Sequence, residues 1–258
     1  MSELLKPAYQ LEFPGQADLD QDEEWCWVTH HGNREKIRFH DYGRIFSMPG
    51  LYEAIFDQHL KCDSPSVVGG LLQKAVKAEG DVMEELTVLD LGPGNGMVGE
   101  YLHELGVPLV VGVDILSEAA EATRRDRPGI YTDFVVADLT RPLDADAHER
   151  LYRYRFNCLT QVAGLGFGDI PPLAFINAYN MIQAPGWLAF NIKEDFISDE
   201  DDTGFAGLIR RMERAGLIEQ CLEQRYRHRF STAGKELHYV AFAMRKKAHI
   251  PLDWLETL

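Results

Sequence analysis

The sequence predicts an α/β protein with one doubly wound, mostly parallel sheet that ends in an antiparallel pair of strands. From residue 87 onward, apolar strand-like runs alternate five times with helical stretches, which is typical of a parallel sheet covered by helices on both faces. Near the end of the chain, the strand-like residues 219–230 and 237–246 are separated by a short loop that contains glycine. Such a loop joins a hairpin and is too short for a crossover.

Each of the five repeats joins an apolar or β-branched run to a stretch with helical periodicity. The strand runs are TVLDLG, LVVGVD, FVVAD, FNCLTQVAG and GWLAFNIKED, and the helical stretches that follow them are 96–106, 117–125, 145–154, 172–183 and 204–216. Parallel strands place all of their carboxyl ends at one edge of the sheet, where the ligands of such folds bind. A functional site is therefore expected at that edge.

The residues before this pattern are predicted to form two accessory pieces. Residues 1–40 are expected to hold a loosely attached acidic arm and a short β-hairpin, because 25–40 alternate apolar and polar residues around a Gly-Asn turn. Residues 41–80 are expected to form a helical cap, since apolar residues recur there near helical spacing. Residues 81–258 then form the α/β domain.

Composition narrows the kind of partner. The 258 residues include 26 Lys and Arg against 41 Asp and Glu, which gives a formal net charge of −15. That charge disfavours a nucleic-acid partner, whose binding depends on neutralised phosphates. The four cysteines are too scattered for a disulfide framework or a zinc knuckle, and neither a signal peptide nor a membrane-spanning run is recognised. The expected protein is cytoplasmic and acts away from membranes, and its oligomeric state is left open.

The strongest chemical signal is the glycine-rich loop within VLDLGPGNGMVGEYL. Gly92, Gly94 and Gly96 fall between a predicted strand and a predicted helix, where missing Cβ atoms allow a sharp turn and the close approach of a ligand. Pro93 stiffens the turn, and Asn95 completes it. The helix that opens near Gly96 presents unpaired N–H groups, which favour a negatively charged or carboxylate-bearing ligand.

Three carboxylates stand in or at the end of the first three predicted strands. Asp114 ends the second strand, where an acid accepts hydrogen bonds from both hydroxyls of a ribose. Asp138 ends the third strand, where its carboxylate or the neighbouring backbone would meet the exocyclic amine of an adenine. Asp90 lies inside the first strand and would attract the ammonium of an amino acid but repel a pyrophosphate. Each acid alone also fits a plain structural role such as a helix N-cap.

The loop alone leaves two classes of nucleotide open, because Gly94 to Gly99 also satisfies the dinucleotide pattern G-x-G-x-x-G. An NAD-dependent oxidoreductase is therefore an alternative. Four features favour a different nucleotide: the position of Asp90, the rigid Pro93, a site that begins deep in the chain, and the terminal hairpin.

Taken together, residues 40–246 resemble the class I S-adenosylmethionine-dependent methyltransferases, and DLGPGNG looks like the first motif of that family. The resemblance implies a Rossmann-like sheet of seven strands with the last strand antiparallel, and S-adenosylmethionine as the cofactor. It implies that the loop glycines line the methionine and ribose. It also implies that Asp114 holds the ribose and that Asp138 lies beside the adenine, which Ile115 and Leu139 sandwich.

Within that class, FNCLTQVAGLGFGDIP (156–171) and PGWLAF (185–190) are most similar to the methyltransferase-like protein of the Williams–Beuren region and its bacterial relatives. Segment 49–65 resembles the helical cap of small-molecule methyltransferases. Two features depart from the pattern: Asn157 stands where an acid is more usual, and the arm before residue 40 has no counterpart. Both leave cofactor binding intact and concern the methyl acceptor.

The implied reaction is a metal-free, in-line displacement at a sulfonium, which needs alignment and exclusion of water more than a catalytic side chain. No set of side chains in the sequence has metal-ligand spacing. The patterns of base N-methylation, of pyrimidine C5 attack and of catechol-type enzymes are also missing. The expected acceptor is a small molecule, with a protein side chain as the alternative, and no catalytic residue is assigned. A non-catalytic protein with a methyltransferase fold is a further alternative.

A few more residues are weaker candidates. Tyr52, within the cap, would contact the sulfonium by a cation–π interaction. Gln161, at the end of the fourth strand, would offer its amide or its backbone to the cofactor. His40 and Tyr42 precede the cap and are further aromatic candidates, and His59 is a candidate general base.

Overall fold

The computed structural model describes residues 9–14, 19–197, 204–251 and 253–254. Its strands are β1 (Gln10–Glu12), β2 (Trp25–His30), β3 (Asn33–Arg38), β4 (Thr87–Leu91), β5 (Leu109–Asp114), β6 (Asp133–Val136), β7 (Cys158–Gln161), β8 (Gly186–Lys193), β9 (Ile218–Phe230) and β10 (Glu236–Lys246). Its α-helices are α1 (Tyr42–Ser47), α2 (Ser64–Ala78), α3 (Met97–Glu104), α4 (Ser117–Asp126), α5 (Ala145–Tyr152), α6 (Pro172–Met181) and α7 (Phe205–Arg214), and a π-helical turn spans Glu53–His59. In these ranges, none of the helices has both the length and the apolar character needed to cross a membrane.

Seven strands form the main sheet, in the order β6-β5-β4-β7-β8-β10-β9. Strands β4 to β8 pair in parallel, whereas β10 pairs antiparallel with β8 on one side and with β9 on the other. The prediction of a seven-stranded sheet with an antiparallel last strand is confirmed. The direction of strand addition reverses between β4 and β7, so a crevice opens there at the carboxyl ends of the strands.

Helices cover both faces of the main sheet because alternate strand residues point to opposite sides. Leu89 points to the cluster that contains Phe175 of α6 and Met212 of α7. Val88 points to a second cluster, which contains Leu72 of α2 and side chains of α3. Each of these buried apolar side chains contributes roughly 1.5–3 kcal/mol relative to an exposed one. The predicted two-sided α/β packing is therefore present.

A second, smaller sheet precedes the main one, with three antiparallel strands in the order β1-β2-β3. The hairpin expected within 25–40 is confirmed, since β2 and β3 pair from Trp25 with Arg38 to His30 with Asn33. The two residues between these strands both have positive φ. Strand β1, which pairs with β2, was not expected from the sequence.

The expectation of a loosely attached acidic arm is wrong for residues 19–24. Gln21 and Glu24 are buried, and Glu24 forms an ion pair with Arg229 of β9 in which both side chains are nearly inaccessible to solvent. This pair holds the beginning of the chain against its last hairpin. Residues 1–8 and 15–18 of the expected arm lie outside the described residues.

The expected cap, residues 41–80, consists of two pieces with different packing. Helix α1 and the π-helical turn pack against the small sheet, in a cluster that includes Phe39, Leu51 and Ile55. Helix α2 instead flanks the main sheet, where it contacts β8 and β10. The small sheet and the first half of the expected cap thus share one apolar cluster.

Candidate functional site

A cavity of about 640 Å³, here called the main cavity, lies at the carboxyl ends of the parallel strands. Its walls come from the ends of β4 and β5, from the loops after β6 and β7, and from α1 and the π-helical turn. It occupies the crevice where the strand order reverses, and its volume is in the range of small-molecule sites.

The predicted glycine loop forms one wall of the main cavity. Gly92, Gly94 and Gly96 have φ values of 68°, 55° and 90°, which residues with a side chain rarely adopt. A Cβ at Gly94 would lie 2.9 Å from the Cζ atom of a phenylalanine ring in α1. Pro93 and Asn95 line the cavity with the first two glycines, and Gly96 closes the loop at the start of α3 without lining it.

Side chains at α4 hold this loop from behind. Thr123 Oγ1 donates a hydrogen bond to the Gly94 carbonyl at 2.8 Å, and the Arg127 guanidinium donates to the Asn95 carbonyl at 3.2 Å. Arg127 also pairs with Glu53 of the π-helical turn at 2.7 Å, and the two side chains are only 10% and 9% exposed. This buried ion pair ties the cap to the glycine loop, and no local sequence pattern indicated it.

Asp114 lies at the end of β5 and lines the main cavity. Its Oδ1 accepts a hydrogen bond from the Leu116 backbone N–H at 2.9 Å, and its Oδ2 accepts from the Gly94 N–H at 3.4 Å. Burial raises the pKa of Asp114, and these backbone hydrogen bonds oppose the rise. The neighbouring Ile115 lines the same wall and is 60% exposed. A carboxylate beside an open apolar side chain suits a ribose that carries a flat base.

Asp138 and Leu139 follow β6 and also line the main cavity. Asp138 Oδ1 accepts hydrogen bonds from the Thr140 hydroxyl at 2.6 Å and from its backbone N–H at 2.9 Å, and Oδ2 pairs with Arg141 at 3.2 Å. The bonds from Thr140, with the Arg141 charge, lower the pKa of Asp138. One carboxylate oxygen is thus held in a local turn, which is the structural role that the sequence left open. Leu139 is buried beneath it.

Asp90 and Gln161, like Gly96, do not line the main cavity. Asp90 is buried inside β4, where its oxygens accept hydrogen bonds from the hydroxyls of Tyr131 at 2.6 Å and Thr160 at 2.7 Å. Burial raises the pKa of Asp90 to about 6, although both hydrogen bonds lower it. Gln161 is also fully buried, with its amide against the backbone N–H of Gly164. The expectation that either side chain contacts a cofactor directly is therefore corrected. Both side chains are buried behind the strand ends and bind other parts of the protein.

Gly99, the last glycine of the dinucleotide-like pattern, has a packing role. A Cβ at Gly99 would lie 2.6 Å from Tyr131 Cζ. Because Gly99 has no Cβ, the Tyr131 ring can lie against α3, and its hydroxyl can donate a hydrogen bond to Asp90. The main cavity is not lined by Gly99. The match to G-x-G-x-x-G is therefore explained by packing.

Of two residues that were candidates in the cap, Tyr52 lies in the main cavity and His59 lies outside it. Tyr52 lines the main cavity, with its ring centroid 5.3 Å from that of Phe46 and 4.7 Å from that of Phe56. His59 lies on the exposed side of the π-helical turn, where its ring stacks on Phe13 at 4.0 Å. The interpretation of His59 as a general base at this site is therefore wrong.

A side chamber of about 30 Å³ adjoins the main cavity. The residues that line both spaces are His40, Tyr42, Tyr52, Phe56, Cys62 and Ala163. In this region His40 Nδ1 lies 2.9 Å from Asp169 Oδ2, and Gln21 donates a hydrogen bond to the Tyr239 hydroxyl at 2.7 Å. The sequence did not predict Asp169 or Gln21 as site residues, because neither belongs to a local pattern that indicates a site.

The two spaces together can hold a nucleoside next to a second, smaller ligand. The main cavity offers a bend lined by backbone, a carboxylate and an apolar side chain, and the side chamber offers polar aromatic and imidazole groups. Within the described ranges, no three His, Cys, Asp or Glu side chains are placed so that they could hold a metal ion.

No model of a protein family matches this sequence, and no curated protein matches it. Solved structures resemble its fold. The N-methyltransferase NodS from Bradyrhizobium japonicum, in complex with S-adenosylhomocysteine, is 12% identical with a TM-score of 0.53, over 81% of this chain and 98% of that one.

Two further structures show the same likeness. The 1,6-didemethyltoxoflavin-N1-methyltransferase from Burkholderia thailandensis is 17% identical with a TM-score of 0.51, over 88% of this chain and 97% of that one. A putative RNA methyltransferase from Pyrococcus horikoshii is 14% identical with a TM-score of 0.51, over 72% and 88%. At these identities the likeness concerns the fold, and this chain has the Rossmann-like fold of class I methyltransferases.

Proposed function

We propose that this protein is an S-adenosylmethionine-dependent methyltransferase. The observation that carries the proposal is one wall of the main cavity, where the positive-φ glycine bend, Asp114 and the open side chain of Ile115 lie side by side. A bend without Cβ atoms fits a ligand that lies against the backbone, and a carboxylate accepts hydrogen bonds from ribose hydroxyls. The fold is that of methyltransferases such as NodS, whose structure contains S-adenosylhomocysteine.

When it is bound, S-adenosylmethionine supplies a methyl group that the positive charge on sulfur already activates. The residues of the cavity then act by position. The glycine bend and Asp114 hold the nucleoside, Ile115 and Leu139 enclose the adenine, and Tyr52 adds a cation–π attraction of about 0.5–2 kcal/mol to the sulfonium. Asp138 would use Oδ2 for the adenine, because Oδ1 is held by Thr140.

The proposed acceptor is a small molecule. The net charge of −15 works against a phosphate backbone, and the cap residues Tyr42, Tyr52 and Phe56 line both the main cavity and the side chamber. Because one similar structure is a putative RNA methyltransferase, the test offers labelled S-adenosylmethionine with total RNA in one arm and with a low-molecular-mass cell extract in the other. Label in the extract supports the proposal, and label in RNA alone contradicts the proposed acceptor.

Two finer expectations belong to the same proposal. The relation to the Williams–Beuren-region methyltransferase-like protein is a hypothesis that rests on the segments around β7 and β8. The four cysteines are free thiols, which favours a reducing compartment such as the cytoplasm.

Calorimetric titrations with S-adenosylhomocysteine and with NADH separate the two classes of cofactor. We expect S-adenosylhomocysteine to bind and NADH not to bind. Binding of NADH alone would overturn the proposal in favour of the oxidoreductase alternative. Binding of S-adenosylhomocysteine without transfer to any compound would favour the non-catalytic alternative.

Asp114→Ala tests the site directly. It removes two charge-assisted hydrogen bonds to the ribose, each worth about 1.5–3 kcal/mol, so the affinity for S-adenosylhomocysteine should fall by at least about tenfold. Because Asp114 also accepts a backbone hydrogen bond, the control is Asp144→Ala, which removes a comparable bond from the Ala147 N–H at the start of α5, away from the main cavity. Equal affinity in the two variants would place the nucleoside elsewhere.

A further inference from the structure

A histidine–carboxylate pair stands where the main cavity and the side chamber meet. His40 lines both spaces, and Asp169 lines the main cavity. His40 Nδ1 lies 2.9 Å from Asp169 Oδ2, and the side chains are 16% and 25% exposed. An ionised carboxylate only accepts hydrogen bonds, so Nδ1 carries a proton and Nε2 is the ring nitrogen left for a ligand.

Both members of the pair are held in place. The His40 ring meets Phe167 and Tyr42 edge-on, with centroids 5.3 Å and 5.6 Å away. The loop that carries Asp169 is closed on itself by a hydrogen bond from the Ile170 N–H to the Gly164 carbonyl at 3.2 Å. The pair is therefore a preorganised element of the cavity wall.

Six other titratable groups line the side chamber, and each of them is buried or paired within the protein. They are Tyr42, Tyr52, Cys62, His228, Arg229 and Tyr239. His228 Nδ1 lies 2.6 Å from Ser64 Oγ and its ring stacks on Tyr239 at 4.0 Å, while burial holds its pKa well below the usual value. Burial raises the pKa of the Cys62 thiol and those of the three tyrosines. Arg229 forms the buried ion pair with Glu24, and Asp41, beside His40 in the chain, caps α1.

The side chamber also offers a hydrogen-bond acceptor and no uncompensated charge. Gln21 lines it, and among the described residues the buried Gln21 Oε1 has no hydrogen-bond partner. The charge of Arg229 is balanced by Glu24 in the buried ion pair. A ligand group that enters here is therefore best matched when it is neutral and carries a hydrogen-bond donor.

From this geometry, and resting on the proposed function, we infer that His40, oriented by Asp169, is the general base for a neutral methyl acceptor whose hydroxyl or ring N–H is methylated. The acceptor proton moves to His40 Nε2, and the electron pair that it leaves forms the bond to the methyl carbon. The carbon–sulfur bond breaks, and its electron pair stays on sulfur. The imidazolium then releases its proton to solvent. General-base assistance of this kind is worth about 10²–10⁴-fold in rate, and Asp169 is a positioning residue.

The first test follows methyl transfer from tritium-labelled S-adenosylmethionine to a low-molecular-mass cell extract. We expect His40→Gln to lower transfer by at least about 100-fold, while the affinity for S-adenosylhomocysteine changes less than about twofold. The matched control is His59→Gln, which alters an exposed histidine outside the cavity and should transfer like the wild type.

The second test needs no methyl transfer. Nuclear magnetic resonance of the histidine ring nitrogens measures which nitrogen of His40 carries the proton. We expect the His40 ring to carry its proton on Nδ1 in the wild type and to lose that preference in Asp169→Asn, with the fold unchanged. Asp169→Asn should also lower transfer, by about tenfold, as expected of a residue that acts through another.

The outcomes separate this inference from the proposed function. Transfer by His40→Gln at the wild-type rate, or a ring-proton distribution unchanged in Asp169→Asn, would overturn the assignment of the base. Binding of S-adenosylhomocysteine with no transfer to any compound would also overturn it and leave the cofactor site standing. Failure to bind S-adenosylhomocysteine at all would overturn the proposed function, and the base with it.

Discussion

The wall of the main cavity that carries the glycine loop is formed by neighbouring stretches of chain, between residues 90 and 140, whereas the side chamber and the region where it meets the main cavity draw on Gln21, His40, Asp169 and Tyr239. The wall depends on backbone conformation, with three positive-φ glycines and a carboxylate at a strand end. The side chamber depends on side chains that the tertiary fold brings together from distant positions. Local patterns can therefore indicate the wall that carries the glycine loop, while the side chamber becomes visible only in three dimensions.

The largest expected effect comes from removing the ion pair that ties the cap to the glycine loop. Glu53→Gln removes the negative partner of Arg127 in a buried ion pair, which costs about 3 kcal/mol of stability; Glu100 still pairs with Arg127, so this is the low end of the range. Chemical denaturation measures the loss. The control is Glu219→Gln at the exposed pair with Lys247, where we expect little or no loss of stability. Equal losses would mean that the cap is held independently of the loop.

The next effect concerns the support beneath the glycine wall. The pKa of Asp90 is about 6 in the folded protein against an ordinary value of 3.8, so the folded state binds more protons between these two values. Wild-type stability therefore loses a contribution from this residue as the pH rises from about 4 to 6. Relative to the wild type, Asp90→Asn should gain roughly 2–3 kcal/mol over that interval. Denaturation curves at pH 4 and pH 7 measure the difference.

Asp133→Asn is the control, because its pH dependence has the opposite sign. Burial raises the pKa of Asp133, but the Arg150 guanidinium outweighs burial and holds the pKa below its usual value. Asp133 therefore adds stability above its unfolded pKa and loses it as the pH falls below about 4. A stability difference for Asp90→Asn that stays flat with pH would show that the buried carboxyl titrates normally.

The glycine wall itself is tested by Gly94→Ala. A side chain at φ 55°, with its Cβ 2.9 Å from Phe46, must displace the loop, so the affinity for S-adenosylhomocysteine should fall about 100-fold, or about 2.7 kcal/mol. Gly129→Ala is the matched control, since φ is 82° there and nothing lies within 4 Å of the added Cβ. It measures the backbone strain alone and should leave the affinity unchanged. Similar affinities in both variants would remove the loop from the site.

The smallest expected effect is at Asp138. Asp138→Ala should lower the affinity for S-adenosylhomocysteine by about threefold or less, because the carboxylate is open to solvent and Oδ1 is held by Thr140. Calorimetric titration beside Asp114→Ala ranks the two acids. A loss as large as that for Asp114→Ala would mean that Asp138 holds the cofactor as strongly as Asp114 does.

The same contrast explains how far the sequence could predict the molecule. The alternation of strands and helices, the terminal hairpin and the position of Asp114 follow from local periodicity and from where parallel strands end. Asp90 was misplaced because a carboxylate inside a strand has two possible faces, and here Thr160 on the neighbouring strand and Tyr131 bind it. The pairing of His40 with Asp169 spans 129 positions, and no periodic signal reaches that far.

The ion pair between Glu24 and Arg229 spans 205 positions, so it forms only after the chain through Arg229 has been synthesised. The glycine loop and β5, by contrast, have already left the ribosome by then. Residues 19–24 must therefore wait for their anchor until β9 emerges. The placement of Gln21 in the side chamber is thereby coupled to the synthesis of a strand that lies about 200 positions further along the chain.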